Sequence, residues 1–373
     1  MKKKIFAPAL FLTLSALMVW ALAAGGDAAD PLVSLSHLDG AYTSTVDTRI
    51  SEKLDASDQA LLDAAEQKLS GSDSSGAYTT ALADTWTEQR MKEGDILSGS
   101  TGLNVMILAG RVTVSFSSGA VVDVSTGSTV ASGTVLTANH RYMVAEDTAA
   151  SFTVTSQTAV VNYQGLYSVT LSNTVDYNAM AAALKTMHLF KGSFTGYGQG
   201  FDLEAAPTRL QTLIMFIRVL GEEEAALAWE GTSPFTDIVQ GADAAKYVGY
   251  AYERGYTNGY TATQWRPAQS VNVYQYTEFI LRALGYSSVA NTNLADTMER
   301  ACACGLLTSG ESTSLKGTTF LRAQLVYISY RALEAQVSGT GFTLGDTLMA
   351  KSVYTFAESI EAQAMVSSRR LDG

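Results

Sequence analysis

The sequence predicts an α+β multidomain chain: an N-terminal helical segment, an all-β sandwich or barrel-like middle domain and a C-terminal all-α repeat bundle. Three observations carry this prediction. Short β-branched runs separated by Gly, Ser, Asn and Asp fill Glu93–Leu171, the apolar period becomes helical from Asp176 onward, and a single pattern recurs three times within that helical region. The chain's 373 residues are ample for more than one core, and its 47% apolar and 16% charged composition argues against a mainly disordered chain. Lys and Arg number 25 against 36 Asp and Glu, a formal charge of −11, and no basic face is clustered for phosphate. A nucleic-acid partner is therefore not expected.

In chain order, Lys2, Lys3 and Lys4 precede an uncharged stretch, Ile5–Ala24, that runs into Gly25-Gly26 through Ala21-Leu22-Ala23-Ala24. Basic start, apolar middle and small-residue end predict a secretory signal peptide over residues 1–24, and hence export. An uncleaved N-terminal membrane anchor is the alternative, since about 20 apolar residues span a bilayer. Residues 31–90 read as a polar helical segment and linker: Ile50, Leu54, Leu61, Ala65 and Leu69 form one stripe over Thr48–Leu69, and Ser70–Gly76 is turn-rich.

The β domain is placed at residues 91–172. Val105–Leu108, Val112–Phe116, Ala120–Val124, Tyr142–Ala145, Phe152–Thr155 and Val160–Tyr163 read as strands. Gly94, Gly102, Gly110, Gly119, Gly127 and Gly133 fall where tight turns are wanted, and no proline between Pro31 and Pro207 removes a ladder donor.

The repeats divide as residues 176–230, 231–288 and 289–335, with 336–373 as a tail in which Val353–Met365 is expected to add a helix. In each copy a motif position lies nine residues before an arginine: Arg209 before Arg218, Val273 before Arg282, and Arg322 before Arg331. Each copy has a helical stretch ending in a glycine turn, at His188–Gly192, Gly255–Gly259 and Gly305–Gly310. Units of this kind bury their apolar faces against one another, so three together make one domain.

These residues resemble the S-layer homology (SLH) module of bacterial envelope proteins. The middle copy carries Phe235-Thr236-Asp237 as the start motif, the Gly255–Gly259 turn and the Trp265-Arg266-Pro267 loop; the first and third carry Thr208-Arg209-Leu210-Gln211 and Leu321-Arg322-Ala323-Gln324. The resemblance implies a pseudo-threefold bundle and a secreted protein held non-covalently on the cell wall or cell surface. Its partner would be an anionic secondary cell-wall polysaccharide, often pyruvylated. Carried over by position, Arg209 and Arg322 are the ligand-facing candidates, joined by Asp237, Gly259 and Asp296. Trp265 reads equally as a packed loop anchor or as a platform that stacks on a sugar ring. A planar, permanently charged fork suits a sugar-borne carboxylate. The departures are Val273 at the motif position of the middle copy, Gln211, Gln275 and Gln324 in place of glutamate, and Leu294-Ala295-Asp296 as a reduced start motif. One or two working grooves are expected rather than three. Arg218, Arg282 and Arg331 sit late in their helices, where a cation suits the dipole, and read as structural.

No catalytic residue, metal site or cofactor is assigned. His37, His140 and His188 are scattered one per region, Cys302 and Cys304 make a poor disulfide at i and i+2, and Gly-x-Ser-x-Gly and phosphate-loop patterns are missing. His140 reads as a turn residue, Glu222-Glu223-Glu224 as a solvated charge cluster, and Asp123 faces either into the sheet or out to water. Two alternatives to wall anchoring stay open. In one, the β domain binds a peptide or sugar and the repeats are scaffold; in the other, the protein is a wall hydrolase using carboxylates of the β region.

Overall fold

The computed structural model describes residues 48–53, 59, 81–192, 196–291, 293–366 and 370–371. The chain divides into two compact units, Met1–Ala77 and Tyr78–Gly373. In the first, residues 48–53 and 59 are helical, and of the stripe expected there only Ile50, which is exposed, falls among the described residues. The predicted signal peptide and the expected Ser70–Gly76 linker lie outside the described residues. Among the described residues no helix is long and apolar enough to cross a membrane.

The second unit opens with a curled antiparallel β half-barrel. Its strands are β1 (Ala81–Lys92), β2 (Ile96–Gly99), β3 (Asn104–Ala109), β4 (Val112–Phe116), β5 (Ala120–Asp123), β6 (Ser128–Val130), β7 (Arg141–Ala145), β8 (Ala150–Val154) and β9 (Thr158–Thr170). They join in the order β4-β8-β2-β9-β3-β7-β5-β6, with β1 added along β9. β9 is the spine: it pairs with β1 and β3 over its first part and with β2 near its end. Side chains alternate inward along the sequence, so Val105, Ile107, Val112, Val114, Tyr142, Val144, Phe152 and Val154 form the core. The turn glycines take the positive φ expected of them. At Gly110 a side chain would also strike the Thr158 carbonyl, 2.4 Å from where its Cβ would lie.

β1 corrects one boundary. Residues 81–90 fall in the segment expected to be helical, because Ala, Leu, Glu, Gln and Arg favour helices. Long-range pairing with β9 overrides that preference. The short strands β2 and β6 also escape the sequence reading, having too few residues to show a period.

The helical region contains α1 (Tyr177–Thr186), α2 (Arg209–Val219), α3 (Glu223–Leu227), α4 (Asp243–Glu253), α5 (Val273–Ala283), α6 (Thr297–Ala303), α7 (Ser309–Gly317), α8 (Arg322–Glu334), α9 (Leu344–Ala350) and α10 (Phe356–Met365). The three motif helices α2, α5 and α8 each touch the other two, and their apolar faces, including Phe216, Phe279, Ile280, Val326 and Ile328, share one core. Around them α4 packs on α2, α6 on α5 and α1 on α8, so the leading helix of each repeat leans on the motif helix of the repeat before it, and the first closes on the last. The tail adds two helices, of which α10 packs on α1 and α9 on α8.

All three motif helices share one capping bond, and in α2 and α5 the Thr208 and Asn272 side chains add the reciprocal one. The Oε1 of Gln211, Gln275 and Gln324 accepts the N–H of Thr208, Asn272 and Leu321 at 3.0, 3.1 and 2.7 Å. Glutamine does this as well as glutamate does, so the exchange at this position leaves the helix start intact. The leading helices also end alike, with Gly255 and Gly305 at φ +70° and +77°; His188 takes the same place in the first repeat at φ +62°.

Candidate functional site

Two grooves between neighbouring repeats correspond position by position. One has a volume of about 330 Å³ and is lined by Arg209 at the start of α2, the turn Thr257-Asn258-Gly259, and Gln275, Glu278, Phe279 and Arg282 on α5. The other, about 220 Å³, is lined by Arg322 at the start of α8, the turn Phe190-Lys191-Gly192, and Gln211, Ile214, Met215 and Arg218 on α2. Each therefore combines the motif arginine of one repeat with the turn and the late arginine of the next.

The late arginines, expected to be structural, also line these grooves, and sequence reasoning misses them as site residues. Nine residues along an α-helix make about 2.5 turns, so the two arginines of one helix emerge on opposite sides and serve different grooves. Arg218 does have a structural bond, to Glu223 at 2.8 Å, and Glu223 also receives Lys191 at 2.6 Å. Arg282 donates to the carbonyls of Tyr256 and Asn291, each at 3.1 Å.

Among the described residues the motif arginines have no carboxylate partner of this kind. Among the described residues no ion pair is made by Arg209, and its buried Nε has no hydrogen-bond acceptor; its guanidinium lies 4.9 Å from the centre of the Trp265 ring. Burial, reinforced by Arg282, pushes its pKa down, against a smaller opposing effect of Asp237. Arg322 bonds through Nε to the Phe201 carbonyl at 3.1 Å and faces the Phe190 ring at 5.7 Å. Its pKa is likewise lowered, first by burial.

The remaining candidates hold the frame around Arg209. Asp237 accepts from the Trp265 N–H at 2.9 Å and the Arg266 N–H at 2.7 Å, which fixes the loop whose Pro267 and Gln269 carbonyls receive the first two N–H groups of α2. Burial works to raise the Asp237 carboxyl, but these bonds outweigh it and hold it below the usual range. Gly259 lines the groove at φ +80°, and a Cβ there would lie 2.4 Å from the Phe235 ring. Trp265 is fully buried, with its indole N–H directed at the Thr257 hydroxyl at 3.3 Å. That burial agrees with the packed-anchor reading and not with the sugar platform: the ring supports Arg209 from within and offers no open face to a sugar. Asp296 lies at the start of α6, 3.4 Å from Arg300, and is not among the groove-lining residues.

The boundary between the second and third repeats carries different side chains. Val273 occupies the motif place, and Glu311, fully enclosed, receives Arg370 of the tail through Nε at 2.7 Å and Nη2 at 3.0 Å. The Tyr327 hydroxyl and the Thr308 N–H also donate to Glu311. Arg331, the late arginine of the third repeat, lies 3.8 Å from the same carboxylate.

Elsewhere, Glu222 and Glu223 do not form a solvated cluster: Glu222 accepts from Tyr250 and Tyr256, and Glu223 from Tyr247 at 2.7 Å. Cys302 and Cys304 are free and only partly buried. In the β domain Asp123 points inward and accepts from His140 Nδ1 at 2.7 Å and the Ser125 N–H at 2.9 Å. It lies beside a recess of about 230 Å³ lined by Ser128, Thr129, Thr134, Thr137 and Tyr142. Among the described residues no cluster of acidic, His and Cys side chains is arranged for a metal ion.

No family model matches the sequence, and no curated protein matches it. Among solved structures, the chain is similar over 25% of its length to a dTDP-6-deoxy-D-glucose-3,5-epimerase from Legionella pneumophila Philadelphia 1 in complex with dTDP-4-keto-L-rhamnose. The match spans 52% of that chain at 21% identity with a TM-score of 0.16, too low to bear on activity.

Proposed function

We propose that this is an exported cell-envelope protein held non-covalently on an anionic secondary cell-wall polysaccharide by the Arg209 and Arg322 grooves, with its β domain displayed. The observation that carries the reading is Arg209: a half-buried cation with an enclosed Nε and, among the described residues, no carboxylate partner, beside a second arginine in an open groove. Burying unpaired charge is costly, and an incoming carboxylate relieves both the desolvation and the repulsion from Arg282. The matching Arg322 groove pairs its motif arginine with Arg218 in the same way. The test is sedimentation of the full chain with purified walls before and after chemical stripping of the secondary polymer. Arg209→Ala and Arg322→Ala each weaken binding, and together they abolish it. Equal binding to stripped walls rejects the reading.

A second reading rests on the hydroxyl-lined recess beside Asp123, which suits a sugar or peptide. Ligand capture by the β domain that survives both arginine substitutions and is lost on enlarging Thr134 to Trp supports it.

A further inference from the structure

The loop that holds Arg322 at its groove is braced by the β domain. Arg90 on β1 donates to Asn178 Oδ1 of α1 at 2.7 Å, to the Gly198 carbonyl at 3.0 Å and to Glu204 at 2.5 Å. Its neighbour Glu88 accepts the Gly198 N–H at 2.7 Å. The loop is shaped around this arginine: a Cβ on Gly198 would lie 2.3 Å from Arg90 Nη1. The same loop then caps α8, because the Leu203 and Ala205 carbonyls receive the N–H groups of Ala323 and Arg322 at 3.1 and 2.9 Å. Glu204 sits between those two carbonyl-bearing residues, against the start of α8, and its Oε2 has no hydrogen-bond partner. Two acids, Asp202 and Glu204, thus lie beside the carbonyls that hold Arg322, and the ion pair with Arg90 draws Glu204 toward the β domain. In the Arg209 groove the corresponding loop is held by Asp237, within the helical region itself.

We propose that Arg90 is a positioning residue of the Arg322 groove: by engaging Glu204 it prevents that carboxylate from pairing with Arg322, and so keeps Arg322 open to an external anion. The β domain is then integral to the anchor, and its loss disables one groove and spares the other. The proposal rests on the anion-binding reading of the grooves, but its first readout needs no ligand.

Phenylglyoxal labelling of arginines in the full chain, followed by peptide mass spectrometry, is that readout. Arg90→Met slows labelling of Arg322 several-fold, about tenfold if a charged hydrogen bond is gained, and leaves Arg209 unchanged. Adding Glu204→Gln restores the rate, whereas a purely structural role of Arg90 is not repaired by that change. Unchanged or faster labelling in Arg90→Met, or no recovery in the double variant, overturns the proposal. Glu88→Ala loosens the loop but keeps the Arg90–Glu204 pair, so it leaves Arg322 labelling at the parent rate; a slowing as large as that of Arg90→Met overturns the proposal too. In an Arg209→Ala background, sedimentation with walls retaining their secondary polymer repeats the series: binding falls with Arg90→Met and returns with Glu204→Gln. If the parent does not bind walls, anchoring fails and the labelling result still decides the role of Arg90.

Discussion

Replacing Glu311 by Gln isolates the enclosed charge that holds Arg370 of the tail. The side chain is fully enclosed and takes two bonds from Arg370, one from Tyr327 and one from the Thr308 N–H. Glutamine keeps an oxygen for Thr308, as Gln211 and Gln275 do for their own helix starts, and gives up the charge that Arg370 needs. Breaking an enclosed pair costs about 3–5 kcal/mol. Arg370 is 38% exposed, however, and its guanidinium can turn to water, which reduces the expected loss to about 2 kcal/mol. Burial alone would raise the Glu311 carboxyl, but the bonds from Arg370, Tyr327 and Thr308 outweigh it and hold it below its usual 4.5. A depressed carboxyl contributes stability that is present above its unfolded value and is lost as pH falls through its folded value. Urea unfolding of parent and Glu311→Gln at pH 7 and at stepwise lower pH reads both effects. The gap of about 2 kcal/mol at pH 7 narrows below pH 4.5, as the parent's own carboxyl takes up a proton. A gap under about 0.5 kcal/mol at pH 7, or one that is constant down to acid, refutes the reasoning.

Three further outcomes are expected. Arg209→Leu removes a cation disfavoured by burial and by Arg282, so thermal unfolding shifts by less than about 1 kcal/mol, or upward, while wall sedimentation falls. Trp265→Ala empties a fully buried site and costs about 3–5 kcal/mol in urea unfolding. Asp237→Ala leaves the Trp265 and Arg266 N–H groups without their acceptor and costs about 1–2 kcal/mol at pH 7; because this carboxyl is also depressed, the difference narrows as pH falls below 3.8, checked by the same unfolding series.

The strands from Val105 to Tyr163 are legible in the sequence because β-branched residues alternate between core and surface and glycines mark the turns. β1 is not, because its residues favour a helix and only β9, some seventy residues on, makes it a strand. The repeat can be read from the recurrence of capped motif helices, and it leads directly to Arg209 and Arg322. A linear pattern cannot show that Arg218 and Arg282 belong to the neighbouring groove, since this depends on how repeats are arranged around the centre. Nor can it show Arg370 meeting Glu311, a contact across 59 positions that follows no motif. Trp265 stays open in the sequence: an aromatic in a loop motif fits a surface platform or a packed anchor equally, and its environment makes it a core residue.

The ring-like arrangement in which α1 leans on α8 imposes an order of events on the chain. As the polypeptide emerges from its N-terminal end, α4 can dock on α2 and α6 on α5 soon after each is made, but α1 has no seat until the last motif helix appears. The leading helix, with the β domain fastened to it through Arg90, must wait. Closing so long a loop is slow relative to the local pairings. The final locking step thus unites the two ends of the repeat array and, with α10 laid over α1, acts as a clasp. A pull on the β domain would load this clasp first, leaving the docked pairs behind it to bear force only after it opens.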